Sequence, residues 1–241
     1  MLGAGSVGKG GRRLPSYGHR VLSGLPDRYA SILLAKASAI TLPAGAILFR
    51  QGEAGDGCYW LQRGALKVTI ASQHGQERMI AVLGAGAIVG ELAMIDGLPR
   101  SATVSAIVDS ELTFVSRAAF GSFMRLHPEL SGFLITTLVM RLRQTDEEAA
   151  AATFLTVKAR LARALLRIAE VLGHDAKDGW VAIHEKVRQE DLAAMAGVAR
   201  ENVSRTLGEW RRRNVIAASR NSKLVLHTAS LEREAATSPQ G

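Results

Sequence analysis

The 241-residue chain has one cysteine, Cys58. A single thiol cannot close an intramolecular disulfide, fill a zinc site or ligate an iron–sulfur cluster. A reducing, cytoplasmic setting fits that usage. Proline is nearly as scarce: six residues, none between Pro128 and Pro239, so a helix beginning near Pro128 meets no breaker. No apolar run is long enough to span a bilayer, and the first twenty residues lack the continuous apolar core of a secretory signal. No metal-ligand cluster, Ser/His/Asp set or P-loop pattern appears, and no further domain remains to hold catalysis. These absences argue against an enzyme and against a membrane protein.

What is present in excess is positive charge. The formal net charge is +8 and the isoelectric point about 10.1, on a background of 47% hydrophobic and 22% charged residues. That balance suits a folded domain with a polyanionic partner, without naming the partner. Residues 1–20 are rich in Gly, Ser, Lys and Arg and read as a disordered basic arm, or as a stretch foreign to the folded unit. Residues 21–127 open with a short helical stretch around Ile32, Leu33 and Leu34. They continue with ten glycines between Gly45 and Gly97. Period-two segments such as Leu66–Ile70 and Thr103–Ile107 lie among those glycines. Short strands between glycine turns predict a small antiparallel β-roll or jelly roll, since glycine at this density would cost a helical bundle about 1 kcal/mol per residue.

Residues 128–156 read as a long helix begun at His127-Pro128-Glu129. Leu134, Leu138, Arg141, Thr145, Glu148, Ala152 and Leu155 follow heptad spacing, apolar at the ends and polar in the middle. The pattern fits a dimer seam, or one amphipathic helix lying on its own domain. Residues 157–230 hold a helix with Leu161, Leu165, Ile168 and Leu172, a strand at Trp180–Ile183, two short helices and a hairpin around Arg220-Asn221-Ser222. Residues 231–241 read as a polar, frayed tail. The fold class is therefore α+β.

The two short helices carry the most specific pattern. Leu192, Ala193 and Met195 belong to the first, Gly197 permits a sharp turn, and Val203 and Leu207 give the second its inner stripe. That is a helix-turn-helix. Arg200, Glu201, Ser204 and Arg205 share an outward arc of roughly 140° at 100° per residue. Arginine can donate twice to guanine and glutamate can accept from cytosine, so the arc suits base edges of duplex DNA. Ala199 starts the reading helix, and Arg188 and Gln189 enter the first one. Arg211, Arg212 and Arg213, with Arg220 and Lys223 in the hairpin, are candidates for phosphate contact. The bland alternative is a set of surface ion pairs on a solvated helix end.

A second constellation lies upstream. Gly90-Glu91-Leu92-Ala93 follows a strand, and Arg100-Ser101-Ala102-Thr103 opens the next. A glycine before a helix start presents backbone N–H groups to an anion, Arg100 can clamp a phosphate, and Ser101 can donate once more. Glu91 repels phosphate but can accept from sugar hydroxyls. On the residues alone, a Glu91–Arg100 salt bridge closing a loop is an equal reading.

These two motifs, in this order and at this spacing, resemble the CRP/FNR family of transcription regulators from about Leu22 to His227. The resemblance implies an N-terminal cyclic-nucleotide-binding β-roll, a long dimerisation helix and a C-terminal winged helix-turn-helix. It implies that Glu91 takes a ribose hydroxyl and that Arg100 and Ser101 hold a cyclic phosphate, with Gly90, Leu92, Ala93 and Ala102 completing the cassette. Thr145 matches a threonine that reaches the purine. Asp146 stands where serine is usual, which leaves cyclic GMP open beside cyclic AMP. Arg200, Glu201 and Arg205 match positions that read TGTGA-like half-sites. A homodimer, duplex DNA and RNA polymerase are the implied partners, with no metal. A constitutive member, or one using cyclic di-GMP, is the alternative.

Overall fold

A computed structural model describes Tyr29, Leu33 and residues 37–71, 77–132, 135–136, 139, 142–143, 154–219 and 222–237. The predicted basic arm lies outside these residues. So does most of the predicted N-terminal helix, of which Tyr29 and Leu33 are described, both helical and buried.

Eight strands build the N-terminal half: β1 Ser38–Leu42, β2 Ile47–Phe49, β3 Gly57–Arg63, β4 Ala65–Ala71, β5 Glu77–Gly84, β6 Ile88–Val89, β7 Thr103–Ala106 and β8 Ser110–Ser116. They form two antiparallel four-stranded sheets, ordered β1-β8-β3-β6 and β2-β7-β4-β5. Inward residues from both sheets, including Leu42, Leu61, Leu66, Leu83 and Leu112, form one core. This is the β-roll that period-two patterning and dense glycine turns foretold. Helix α1 (Glu91–Asp96) interrupts the strands between β6 and β7, and α2 (Arg117–Leu126) follows β8. Ser116 caps α2, its Oγ accepting from Ala119 N at 3.2 Å. Tyr29, Leu33, Ile88, Met94 and Phe123 make a second core beneath α1 and α2.

Described residues of the connecting helix include Leu130, Ile135, Val139, Leu142 and Phe154, all helical. Ile135, Val139 and Leu142 are large, apolar and exposed. Their spacing is that of a heptad stripe, one residue on from the predicted row at Leu134, Leu138 and Arg141, whose side chains are outside the described set. At 100° per residue the two rows adjoin on the helix surface.

The C-terminal half contains α3 (Val157–Leu172), β9 (Gly173–Asp175), β10 (Trp180–Ile183), α4 (Gln189–Ala196), α5 (Arg200–Arg212), β11 (Ile216–Ser219), β12 (Ser222–His227) and α6 (Thr228–Ala235). Strands β11-β12-β10-β9 form a third antiparallel sheet beside the helices. The core combines Leu161, Leu165, Ile168, Leu192, Val203 and Trp210. The frayed tail expected after Leu231 is corrected here. Leu231 is fully buried, and α6 continues to Ala235 against α3. One anchored leucine and an Arg213–Glu234 ion pair of 2.8 Å hold a segment whose composition is otherwise polar.

The two halves share a core. Met79 and Val82 of β5 belong to the same cluster as Leu161, Leu192 and Trp210, and β5 packs on both α3 and α4.

Candidate functional site

The cassette residues converge on one cleft in the β-roll. Gly90, Glu91, Leu92 and Ala93 line it together with Arg100, Ser101 and Ala102, over apolar walls from Phe49, Val68, Ile80 and Leu83. Its cavity volume is about 90 Å³, small beside the ~300–1,000 Å³ typical of small-molecule sites.

Arg100 is 3% exposed, so its guanidinium has been taken out of bulk water. Such a group needs partners. Its Nη1 donates to the carbonyls of Gly57 and Gly90, both at 2.8 Å. Its Cζ lies 4.3 Å from the centre of the Phe49 ring. Nη2 stands 3.6 Å from Asp56 Oδ1, a carboxylate that is 79% exposed. Nε is buried without a hydrogen-bond partner among the described residues. Backbone bonds fix the base of the side chain, with Arg100 N donating to Glu53 O and Gly52 N to Arg100 O, both at 2.8 Å.

Gly90 makes this geometry possible. It has φ +81°, and a Cβ there would stand 2.2 Å from Arg100 Nη1. Glycine is the residue that both adopts this backbone and leaves the space. Glu91, the first residue of α1, is 4% exposed. Its carboxylate lies close enough to Cys58 to contribute, after burial, to pushing that thiol up to about 12. The arginine is engaged by the Gly57 and Gly90 carbonyls and the Phe49 ring. Ser101 is exposed at the rim. Thr145 and Asp146 lie outside the described residues. Sequence reasoning missed Phe49, because nothing in a lone phenylalanine announces that it will lie under a guanidinium. It also missed Arg117, whose Nη2 donates to Gly55 O at 2.8 Å and Ala93 O at 2.6 Å.

The second constellation lies on α4 and α5. Gly197 closes α4 with φ +60° and ψ +41°, the left-handed conformation that turns the chain sharply. From α3, Arg160 Nη1 donates to Gly197 O at 3.0 Å and braces that turn. Val203, Thr206, Leu207 and Trp210 are buried, while Ala199, Arg200, Glu201, Ser204 and Arg205 are exposed. The outward arc predicted from the helical period is therefore present. Arg200 does not pair with Glu201. Its Nε meets Glu190 Oε1 at 3.1 Å on α4, with both side chains more than half exposed, a pair worth little in water.

Other predicted contacts are less free. Arg188 makes a two-point contact with Asp191, 3.0 and 3.3 Å, which raises its already high pKa. Gln189 is half-buried at the start of α4. Arg213, itself exposed, is paired with Glu209 and Glu234 at 3.2 and 2.8 Å, and Arg211 and Arg212 are exposed beside it. Lys223 lies in β12, and Arg220 lies outside the described residues.

Among the described residues, no group of three or more His, Cys, Asp or Glu side chains is placed to hold a metal ion, and no helix is long and apolar enough to cross a membrane.

Comparison with known proteins matches both halves of the chain to known domains. Residues 39–127 match the model of the cyclic nucleotide-binding domain, and residues 159–234 match the Crp-like helix-turn-helix domain. The cyclic AMP receptor protein of Thermus thermophilus is 30% identical over 215 residues, 89% of this chain and 96% of that protein. The CRP-like cAMP-activated global transcriptional regulator of Mycobacterium tuberculosis is 27% identical over the same coverage. Among solved structures, the Thermus thermophilus catabolite activator protein is 29% identical over 90% of this chain and 98% of its own, with a TM-score of 0.50. The c-di-GMP responsive regulator CLP of Xanthomonas campestris shares the fold, with a TM-score of 0.68 at 20% identity over 83% of this chain and 99% of its own. The chain belongs to the CRP/FNR family of transcription regulators.

Proposed function

We propose that this regulator responds to a cyclic mononucleotide, cyclic AMP or cyclic GMP, and reads a TGTGA-like palindrome as a homodimer in the cytoplasm. The observation that carries the effector reading is the state of Arg100. Nη1 is spent on two carbonyls, but among the described residues Nε has no hydrogen-bond partner and Nη2 holds only a loose contact to an exposed carboxylate. Those two donors form a fork suited to one phosphate. Gly90 and Leu92 lend backbone at the mouth of α1, Ser101 adds a hydroxyl from the rim, and Glu91 accepts from the sugar. Thr145 and Asp146 take the base, with Asp146 available to an amino group.

The exposed Ile135, Val139 and Leu142 row, which a second copy would cover, supports the dimer. Two recognition helices then meet successive major grooves about 34 Å apart. Arg200, Glu201 and Arg205 read base edges, while Ser204, Ala199, Gln189, Arg188, Arg220 and Lys223 position the helix on phosphates. RNA polymerase is the downstream partner. The chain performs no catalysis of its own. A nucleotide alters DNA affinity only by binding one arrangement of the two halves better than the other.

One observation favours a second reading. Arg100 already has internal partners, so the β-roll holds its shape without a ligand, as a constitutive regulator would. A regulator of cyclic di-GMP is the other form of this alternative. Calorimetric titration of the full chain with cyclic AMP, cyclic GMP and cyclic di-GMP separates them. Saturable binding of a cyclic mononucleotide, lost in Arg100→Ala, is the expected result. Binding of cyclic di-GMP alone, or of none, would overturn the proposal.

A further inference from the structure

Helix α1 carries Glu91 as its first residue, yet it is poorly equipped to hold its own position. It has six residues, and its N-cap Gly90 offers no side-chain bond. A helix this short is unstable by itself. Two arginines fasten it from outside, and each does so in the same way. Arg100 joins the loop at Gly57 O to the N-terminal end of α1 at Gly90 O. Arg117 joins that loop at Gly55 O to the middle of α1 at Ala93 O. Space between loop and helix is already minimal, since a Cβ at Gly55 would lie 2.5 Å from that of Ala93 and 3.2 Å from Arg100 Cζ. The Arg117 backbone adds a third tie, its N–H donating to Asp56 O at 2.7 Å.

The two fasteners are not equivalent. Arg100 lines the cleft and would be drawn toward a phosphate. Arg117 does not line the cleft, and its side-chain bonds go to two protein carbonyls. We propose that Arg117 is a positioning residue for the effector site: it holds α1 against the 55–57 loop so that Gly90 and Glu91 stay aimed into the cleft when Arg100 engages phosphate. This rests on the cyclic-mononucleotide reading above. It also gives that site a mechanical exit, because Arg117 is the first residue of α2, which runs to the connecting helix.

The test uses the full chain and two substitutions, Arg117→Gln and Arg117→Lys. Titration with cyclic AMP and cyclic GMP should show the Gln variant weakened tenfold or more, the scale of one to two hydrogen bonds from a charged donor. Lysine, with one cationic donor in place of the fork, should recover part of that loss. Hydrogen exchange of the amides of residues 91–96, without nucleotide, should accelerate in the Gln variant while the β8 amides keep their protection. A generally structural arginine would instead lower protection in both places. Nucleotide affinity within twofold of the unsubstituted chain would overturn the proposal. If the unsubstituted chain bound no cyclic mononucleotide, the functional reading would fail by itself. The exchange experiment would still decide the fastening, with unchanged protection at residues 91–96 refuting it.

Discussion

Replacing Gly90 with alanine separates two costs that most glycine substitutions confound. The first is conformational. Gly90 has φ +81°, and a Cβ in the left-handed region costs about 1–2 kcal/mol. The second is steric and local to the site. The new methyl would stand 2.2 Å from Arg100 Nη1, so the guanidinium must leave the Gly57 and Gly90 carbonyls. A buried charged donor losing its bonds costs about 2–4 kcal/mol after partial relaxation. Gly45 supplies the control. It has φ +82° but nothing within 4 Å of a built Cβ, so Gly45→Ala bears the conformational cost alone. Urea denaturation of the two variants should place Gly90→Ala below Gly45→Ala by about 2–4 kcal/mol. Only Gly90→Ala should also lose nucleotide binding. Equal destabilisation, within about 0.5 kcal/mol, would refute the claim that Gly90 exists to admit Arg100.

Three further outcomes follow from burial and charge. Leu165 is fully buried, so Leu165→Ala should cost about 2–5 kcal/mol in chemical denaturation, whereas Leu98→Ala at an exposed position should stay within about 0.5 kcal/mol. Arg200→Ala should lose about 1–3 kcal/mol of specific DNA binding and relax the base preference. Arg211→Ala should weaken all sequences alike and lower the salt slope by about 1 in a filter or fluorescence titration. Burial first, and then Glu91, push the Cys58 thiol up to about 12. Its neutral form is favoured by folding, so its contribution is complete below the ordinary thiol range near 9.0 and is lost as pH rises toward 12. Ellman's reagent should therefore not label the native protein at pH 8, and rapid native labelling would contradict the assignment.

Much of the fold is legible in the sequence. The period-two segments and the glycine turns announced the β-roll, and Gly197 with its flanking apolar residues announced the helix-turn-helix, because both signals are local. The outward set Arg200, Glu201, Ser204 and Arg205 followed from helical period alone. What escaped depends on contacts between distant segments. Arg100 rests on Phe49 and Gly57, residues that a linear reading gives no reason to join to it. The packing of β5 on α4 joins the two halves through Met79 and Val82, which read as ordinary strand residues. Helix α6 looked like a tail because one leucine supplies its fully buried anchor. Arg117 looked like any basic residue at a helix start, and its role comes from two carbonyls of the 55–57 loop and α1.

Nucleotide control of DNA binding is decided by a shift titration of a TGTGA-type palindrome at fixed salt, without nucleotide and with saturating cyclic AMP or cyclic GMP. Specific binding should be at least tenfold tighter with one of them, an effect abolished by Arg100→Ala, with little change on scrambled DNA. Nucleotide binding that leaves palindrome affinity unchanged would contradict it.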